Sequence, residues 1–259
     1  MPSLATCGLV LLAAGAAAGD LKEVEARKAL RVLVAADEQP EMFSFSAQGP
    51  PGFERELVEG FARSRQLKVD IVPVRTFDQI VPMLLKGDGD LVLGIIDTES
   101  RRQLIDFTAE TLPARHLVVN RRPAPAVDRI DDFRKLRVGV VAGSSWAEAA
   151  AAAGVTKSNL ASYPDLPSLL EALRAGKVAA TVMSTPDFAL AQRRDPAMQP
   201  GVFIGPSLKA AWGVRKTDPA LQRALNQYLQ HLRNSPDWGR LVLKYFTADA
   251  IDLFKRARN

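Results

Sequence analysis

Residues 77–96 read FDQIVPMLLKGDGDLVLGII, and this stretch decides the fold class. Its first half, 77–86, has helical periodicity, and Thr76 and Gly87 are suitable residues to begin and end the helix. A turn of sequence GDGD follows. The short apolar run 91–96 has the composition of a strand that is buried on both faces. A helix followed by such a strand indicates an α/β fold.

The same alternation of helical patterns and short apolar runs continues on both sides of this stretch, and no internal repeat is evident. The alternation predicts an α/β fold with largely parallel strands. Residues 196–206 are rich in proline and glycine, so we expect a loop there. The further predicted strands are 31–36, 69–74, 116–120, 136–141, 178–183 and 210–214.

The residues between 122 and 205 contain a complete α/β series that is inserted into a larger one. We therefore expect two lobes, each with its own sheet. The large lobe is discontinuous and consists of residues 29–118 and 206–259. The small lobe consists of residues 119–205.

Two extended stretches, near 118–120 and 210–214, would cross between these lobes. We expect them to run side by side as a hinge. A cleft between two such lobes is a natural ligand site, because strand ends and helix N-termini of both lobes face it.

The composition is that of a globular protein, with 259 residues, 47% of them hydrophobic and 24% charged, and a net charge of +5. The basic residues are scattered, so we expect no nucleic-acid partner. Cys7 is the single cysteine, and His116 and His231 are the two histidines. One cysteine cannot form a disulfide framework. One cysteine and two histidines are too few to favour a thiolate or imidazole metal site, or a Ser–His or Cys–His nucleophile. No cofactor and no metal are expected.

The N-terminus has the pattern of an export signal. Residues 9–18 are apolar and uncharged, and the run of three alanines at 16–18 offers a cleavage site. We expect residues 1–18 to be removed, although no lysine or arginine precedes the apolar run. A lipid anchor on Cys7 is the alternative. No later segment is apolar enough to span a bilayer, so the mature protein is expected to be soluble.

Four short segments, in this order and spacing, resemble one known family. They are GFEREL (52–57), FDQIVPMLLKGDGD (77–90), TESR with DFT (98–101 and 106–108), and VGVVAGSS (138–145). They are similar to motifs of the periplasmic solute-binding proteins of amino-acid-type ABC transporters, the bacterial extracellular solute-binding family 3. The resemblance covers roughly residues 30–246.

This resemblance implies the two-lobe, type II (Venus-flytrap) periplasmic-binding-protein fold. It further implies a periplasmic, monomeric protein that performs no catalysis. Its partners would be a small-molecule ligand with a carboxylate group and the membrane permease of an ABC transporter.

The resemblance also implies a set of ligand-binding residues. Arg101 matches the arginine that grips the ligand carboxylate, for which a guanidinium offers a planar two-donor fork. Phe77 matches the aromatic residue that stacks on the ligand. Ser144 and Ser145 lie where a strand turns into a helix, and a helix N-terminus is suited to a carboxylate.

Three positions depart from the family pattern. Ser184 stands where an aspartate usually pairs with the ligand ammonium group, and Ile96 stands where a hydroxyl often helps to hold the carboxylate. Glu38 lies near a position where an aromatic residue is common. An unpaired ammonium in a dry cleft would be costly. The ligand is therefore either an α-amino acid whose charge Glu38 balances, or an organic acid without an amino group that Arg101 retains.

The leading interpretation is a binding protein that serves a permease. The alternative is an enzyme similar to the cyclohexadienyl and arogenate dehydratases, for which Glu38 is the candidate general acid. A third possibility is an accessory binding module of a periplasmic dehydrogenase or a cell-wall enzyme system. The sequence ends at Asn259 without room for a transglycosylase domain, so we expect no fused form of that kind.

Overall fold

The computed structural model describes residues 19–259. The predicted signal segment, residues 1–18, and the alternative lipidation site at Cys7 lie outside the described residues. Within residues 19–259, no helix is both long enough and apolar enough to cross a membrane.

Eight strands form in the described part of the chain, and hydrogen bonds join them in the order β2-β1-β3-β8-β4-β7-β5-β6. The strands are β1 Ala29–Ala35, β2 Lys68–Val74, β3 Leu91–Ile96, β4 Ile105–Arg121, β5 Val138–Val141, β6 Leu160–Tyr163, β7 Ala180–Ser184 and β8 Met198–Arg215.

Helices connect and cover these strands. They are α1 Leu21–Arg27, α2 Phe53–Ser64, α3 Ile80–Lys86, α4 Glu99–Arg102, α5 Ile130–Phe133, α6 Ser145–Ala152, α7 Leu166–Arg174, α8 Thr185–Arg194, α9 Pro219–Arg233, α10 Pro236–Tyr245 and α11 Ala248–Ala257. A 3₁₀ turn, Phe77–Gln79, precedes α3, so the helix predicted over 77–86 begins as a tighter turn.

The strands fall into two parallel groups, which confirms the predicted α/β class. In the first group β1 pairs with β2 and β3, and in the second β5 pairs with β6 and β7. The long strands β4 and β8 pair antiparallel with each other between the groups. β8 also pairs with β3 of the first group, and β4 pairs with β7 of the second.

The expectation of separate sheets is wrong, because β4 and β8 carry hydrogen bonding through both groups. Their pairing shifts register at four places, between Phe107 and Val119. Such irregularities bend and twist a strand pair locally. The two groups of strands can therefore point in different directions although β4 and β8 connect them by hydrogen bonds. The lobe boundaries at 118/119 and 205/206 remain a prediction.

The predicted hinge pairing is also wrong. Val119 lies beside Pro200, and Ala210 lies beside Leu112, so 118–120 and 210–214 are not neighbours. In an antiparallel pair the end of one strand meets the beginning of the other. The stretch 196–206, predicted as a loop, instead supplies the first half of β8 as the partner for the end of β4.

The core lies between the strands and the helices that cover them. Helix α2 shows how the sequence builds it: Phe53, Leu57, Val58 and Phe61 recur at helical spacing and are fully buried. Burying each such side chain contributes roughly 1.5–3 kcal/mol of transfer free energy. The packing fixes the ends of β1 and β3, from which the candidate site is built.

Candidate ligand-binding site

A cavity that is partly open to solvent lies between the two strand groups, where β1, β3 and β5 end and α6 and α8 begin. Its volume is about 60 Å³. The lining residues are Ala35, Asp37, Glu38, Phe77, Gly94, Ile95, Ile96, Arg101, Val141, Ser144, Ser145, Trp146, Leu166 and Asp187.

Arg101 is the cation of this cavity, and its side chain is held by backbone carbonyls. Thr98 caps the short helix α4 that carries it. One guanidinium nitrogen donates to the Ile96 carbonyl at 2.8 Å and another reaches the Gly143 carbonyl at 3.5 Å. Within residues 19–259 Arg101 forms no ion pair, and it is only 6% exposed. Burial lowers its pKa to about 10, against the opposing effect of Glu148, so Arg101 is charged at neutral pH.

Phe77 lies beside this guanidinium. The Arg101 Cζ atom is 5.3 Å from the centre of the Phe77 ring. A cation over an aromatic face is attracted to it, and the ring also limits where the guanidinium can move. The arginine is therefore held in place before any ligand arrives.

The N-terminus of α6 forms another part of the wall. The first N–H groups of a helix have no acceptor within the helix, so they are suited to an anion. The Ser144 hydroxyl donates to the Val141 carbonyl at 2.6 Å. The Ser145 hydroxyl lies 2.9 Å from Nε2 of His116. Burial and the charge of Arg101 lower the pKa of His116 to about 4, so the imidazole is neutral at pH 7.

Two carboxyl groups, Glu38 after β1 and Asp187 in the first turn of α8, line the same cavity. Burial raises the pKa of Glu38 to about 8, and the neighbouring Asp187 and Asp37 raise it further. Burial also raises the pKa of Asp187, to about 6, against hydrogen bonds from Ser184 and Gln39 that lower it. At pH 7 the Asp187 carboxyl is therefore mostly ionised, whereas that of Glu38 is mostly protonated.

Hydrogen bonds around the cavity join residues on the side of the first strand group to residues on the side of the second. The Leu166 N–H donates to the Asp37 carboxylate at 2.7 Å. The Ser100 hydroxyl donates to the carboxylate of Glu148 at 2.9 Å. A Cβ atom at Gly143 would lie 2.5 Å from that of Asp78, and Gly143 has a φ of +70°. Only glycine combines this backbone conformation with so close an approach.

Six of the seven residues proposed from the sequence lie together on this cavity: Arg101, Phe77, Ser144, Ser145, Glu38 and Ile96. Ser184 does not line it. Its hydroxyl instead caps α8 and donates a hydrogen bond to the Asp187 carboxylate. An acidic side chain, Asp187, therefore lies on this side of the cavity although position 184 is a serine.

Sequence reasoning missed Asp187, His116 and Trp146. The spacing of Ser184 and Asp187 is that of a capping box, in which the first and fourth residues meet at a helix start. This signal could have placed Asp187 beside Ser184. No local signal could have paired His116 with Ser145, because the two residues lie on different elements.

Comparisons with known proteins agree with this geometry. The pattern of the bacterial extracellular solute-binding proteins, family 3, matches residues 30–248. A probable histidine-binding protein of Neisseria gonorrhoeae is 26% identical over 255 residues, which is 95% of this chain and 94% of the relative. Membrane-bound lytic murein transglycosylase F of Stutzerimonas stutzeri (strain A1501) is 26% identical over 88% of this chain. The chain spans 48% of that enzyme's length.

Solved structures show the fold. A mutant of ArgBP from T. maritima has a TM-score of 0.77 at 23% identity, over 86% of this chain and 97% of that one. The ancestral amino acid-binding protein AncCDT-1, a precursor of cyclohexadienyl dehydratase, has a TM-score of 0.78 at 24% identity, over 87% and 99%. The predicted type II periplasmic-binding-protein fold is thereby confirmed. Because the family pattern spans nearly all of the described residues, the chain belongs to the bacterial extracellular solute-binding proteins, family 3.

Proposed function

We propose that this protein binds an α-amino acid outside the cytoplasm and presents it to the permease of an ABC transporter. One observation carries the proposal: Arg101 and Asp187 line the same cavity. An α-amino acid carries a carboxylate and an ammonium group at neutral pH, and these two side chains offer one partner for each.

Arg101 supplies the carboxylate end of the site. A guanidinium has five N–H donors, and the backbone carbonyls of Ile96 and Gly143 occupy only part of them. The N-terminus of α6 adds further donors on the other side of the cavity. A carboxylate between them would bind to both strand groups at once and so favour the closed arrangement.

Asp187 supplies the ammonium end. Ser184 and Gln39 donate hydrogen bonds to its carboxylate, which holds the group in place. A simple organic acid would leave this half-buried carboxylate without a cation, at a cost in free energy. Asp187 therefore favours an amino acid over the organic acid that the sequence left open. The name of the Neisseria gonorrhoeae relative is consistent with this class of ligand.

Titration calorimetry on the wild-type protein with the common amino acids and with simple dicarboxylic acids tests the proposal. Arg101→Lys keeps the charge but loses the planar fork, and Asp187→Asn keeps the shape but loses the charge. Each should weaken amino-acid binding by about 30-fold or more. Arg102→Lys is the matched control, because Arg102 pairs with Asp97 and its side chain is 54% exposed. Binding of organic acids alone, or unchanged affinity in both variants, would contradict the proposal.

A dehydratase-like enzyme is the second candidate, and the raised pKa of Glu38 favours it. A carboxyl group that stays protonated at neutral pH in a closed cleft can donate a proton to a leaving hydroxyl group. Incubation with prephenate or arogenate decides between the two functions. Binding without turnover supports the binding protein, whereas turnover that disappears in Glu38→Gln establishes the enzyme.

A further inference from the structure

The charged groups that line the cavity are one cation, Arg101, and three carboxyl groups, Asp37, Glu38 and Asp187. The ends of an α-amino acid occupy Arg101 and Asp187. Asp37 already accepts the Leu166 N–H at 2.7 Å. Glu38 accepts a hydrogen bond only from the N–H of Gln39, at 2.9 Å, and among the described residues it forms no ion pair.

We propose that Glu38 is a second cation site of the cleft, and that the ligand is an α-amino acid with a cationic side chain. This inference rests on the proposed function and names the ligand class for the same site.

The acidic groups around Glu38 favour the binding of a cation there. The ionisable groups that act on it are all acidic: Asp187 of α8, Asp37 of its own loop, and Glu54 of α2. Arg101, the cation of the cavity, is already assigned to the ligand carboxylate. A ligand with an apolar side chain would leave Glu38 without a charged partner in the cavity, whereas an ammonium or guanidinium group would favour its ionised form and would be attracted to the neighbouring carboxylates.

The neighbouring Gln39 provides an independent indication. It is 2% exposed, and its Nε2 donates to Asp187, but its Oε1 has no hydrogen-bond partner among the described residues. Gln39 itself does not line the cavity, but its Oε1 is an unused acceptor beside Glu38 and Asp187. The part of the site around Glu38 therefore has more acceptors than donors, and a ligand group that carries several N–H donors would complement it.

Proton release follows from the same arrangement. Free Glu38 is mostly protonated at pH 7, because burial and the neighbouring acids raise its pKa to about 8. A bound cation favours the ionised carboxylate, so binding of a cationic ligand should release a proton from Glu38 at pH 7. The pKa of Asp187 is raised only to about 6, so this carboxyl is already mostly ionised at pH 7 and should contribute little proton release for any amino acid. Affinity for the cationic ligand should rise with pH from 6 to 8 and then level off.

The experiment compares isosteric ligands that differ in charge: L-arginine with L-citrulline, and L-lysine with L-norleucine. Calorimetry at pH 7 in buffers of different ionisation enthalpy measures both affinity and proton release. We expect one cationic ligand to bind on the order of 30- to 1000-fold more tightly than its neutral isostere. Glu38→Gln should reduce this ratio to near one and abolish most of the proton release. The melting temperature of the ligand-free variant reports whether the fold is intact.

Each outcome decides the matter. Equal binding of charged and neutral isosteres, or a preference and proton release that survive Glu38→Gln, would overturn the second cation site. If neutral amino acids bind in a manner that depends on Arg101, the proposed function stands and only this inference fails. If no amino acid binds, the proposed function fails as well.

Discussion

His116 of β4 and Ser145 of α6 are joined by a hydrogen bond of 2.9 Å between Nε2 and Oγ. The bond links one of the two long strands that run between the strand groups to the helix N-terminus at the cavity. Because the imidazole is neutral at pH 7, it can donate to Ser145 and leave the serine O–H free to face the ligand. The second histidine, His231, is exposed on α9 and has no such role.

Replacing His116 tests this link. We expect His116→Phe to weaken ligand binding by about 2- to 10-fold, the effect of one lost hydrogen bond of about 0.5–1.5 kcal/mol. Ser145→Ala should have a similar effect, and the double variant should lose less than the sum of the two. Calorimetry measures all three, with His231→Phe as the control. Strictly additive losses would show that the two residues act independently.

Replacing Gly143 tests the close approach of Gly143 and Asp78 across the cleft. Gly143→Ala would place a methyl group 2.5 Å from the Asp78 Cβ, so the cleft should fail to close and ligand affinity should fall by at least tenfold. Gly176→Ala is the matched control, because Gly176 has a similar φ of +68° but nothing within 4 Å of the added carbon. Both variants should lose about 1–2 kcal/mol of stability. Equal ligand affinity in the two variants would contradict the role assigned to this contact.

The family pattern by itself would predict that Ser184→Asp improves amino-acid binding. The structure reverses this expectation, because Ser184 is 1% exposed and donates to Asp187, so a second carboxylate there would repel the first. We expect the free energy of unfolding to fall by about 1–3 kcal/mol. Each kcal/mol should lower the melting temperature by roughly 2–4 °C. Ser184→Ala, which loses the helix cap alone, is the calorimetric control. Tighter amino-acid binding by a stable Ser184→Asp protein would restore the original expectation.

The buried carboxyl group of Glu54 should make the stability of the protein depend on pH. Burial raises its pKa to about 7, against hydrogen bonds from Trp212 and Thr111 that lower it. Because the pKa is higher in the folded state, the contribution of Glu54 is complete below about pH 4.5 and is lost as the pH rises through 7. The free energy of unfolding should fall by at most about 1.4 kcal/mol per pH unit in this window. Denaturant unfolding of Glu54→Gln from pH 5 to 8 should lack this component. Parallel curves for the two proteins would show that Glu54 does not titrate in this range.

Local patterns in the sequence were sufficient for the α/β class and for most strands, and the resemblance to a known family indicated six residues that line the candidate site. Arg101 was identified by its match to a family motif, whereas the N-terminus of α6 follows from a strand that ends in glycine and serine. Such features depend on neighbours within a few residues, for which backbone preferences and helix capping are decisive. The length of β4 and β8 did not follow, because a proline- and glycine-rich stretch becomes a strand only when a partner strand lies beside it.

Only the tertiary structure decided which groups meet across the cavity. The sequence contains His116, Ser145, Glu38 and Asp187, but it does not show that the first two share a hydrogen bond or that the last two share a cavity. His116 and Ser145 are 29 positions apart in the sequence, and Glu38 and Asp187 are 149 positions apart. These relations arise from the register of two long antiparallel strands and from the packing of helices on them. Burial then raises the pKa of both acids, because the surrounding protein atoms keep water away from the charged carboxylate. The extent of this burial is set by the tertiary structure.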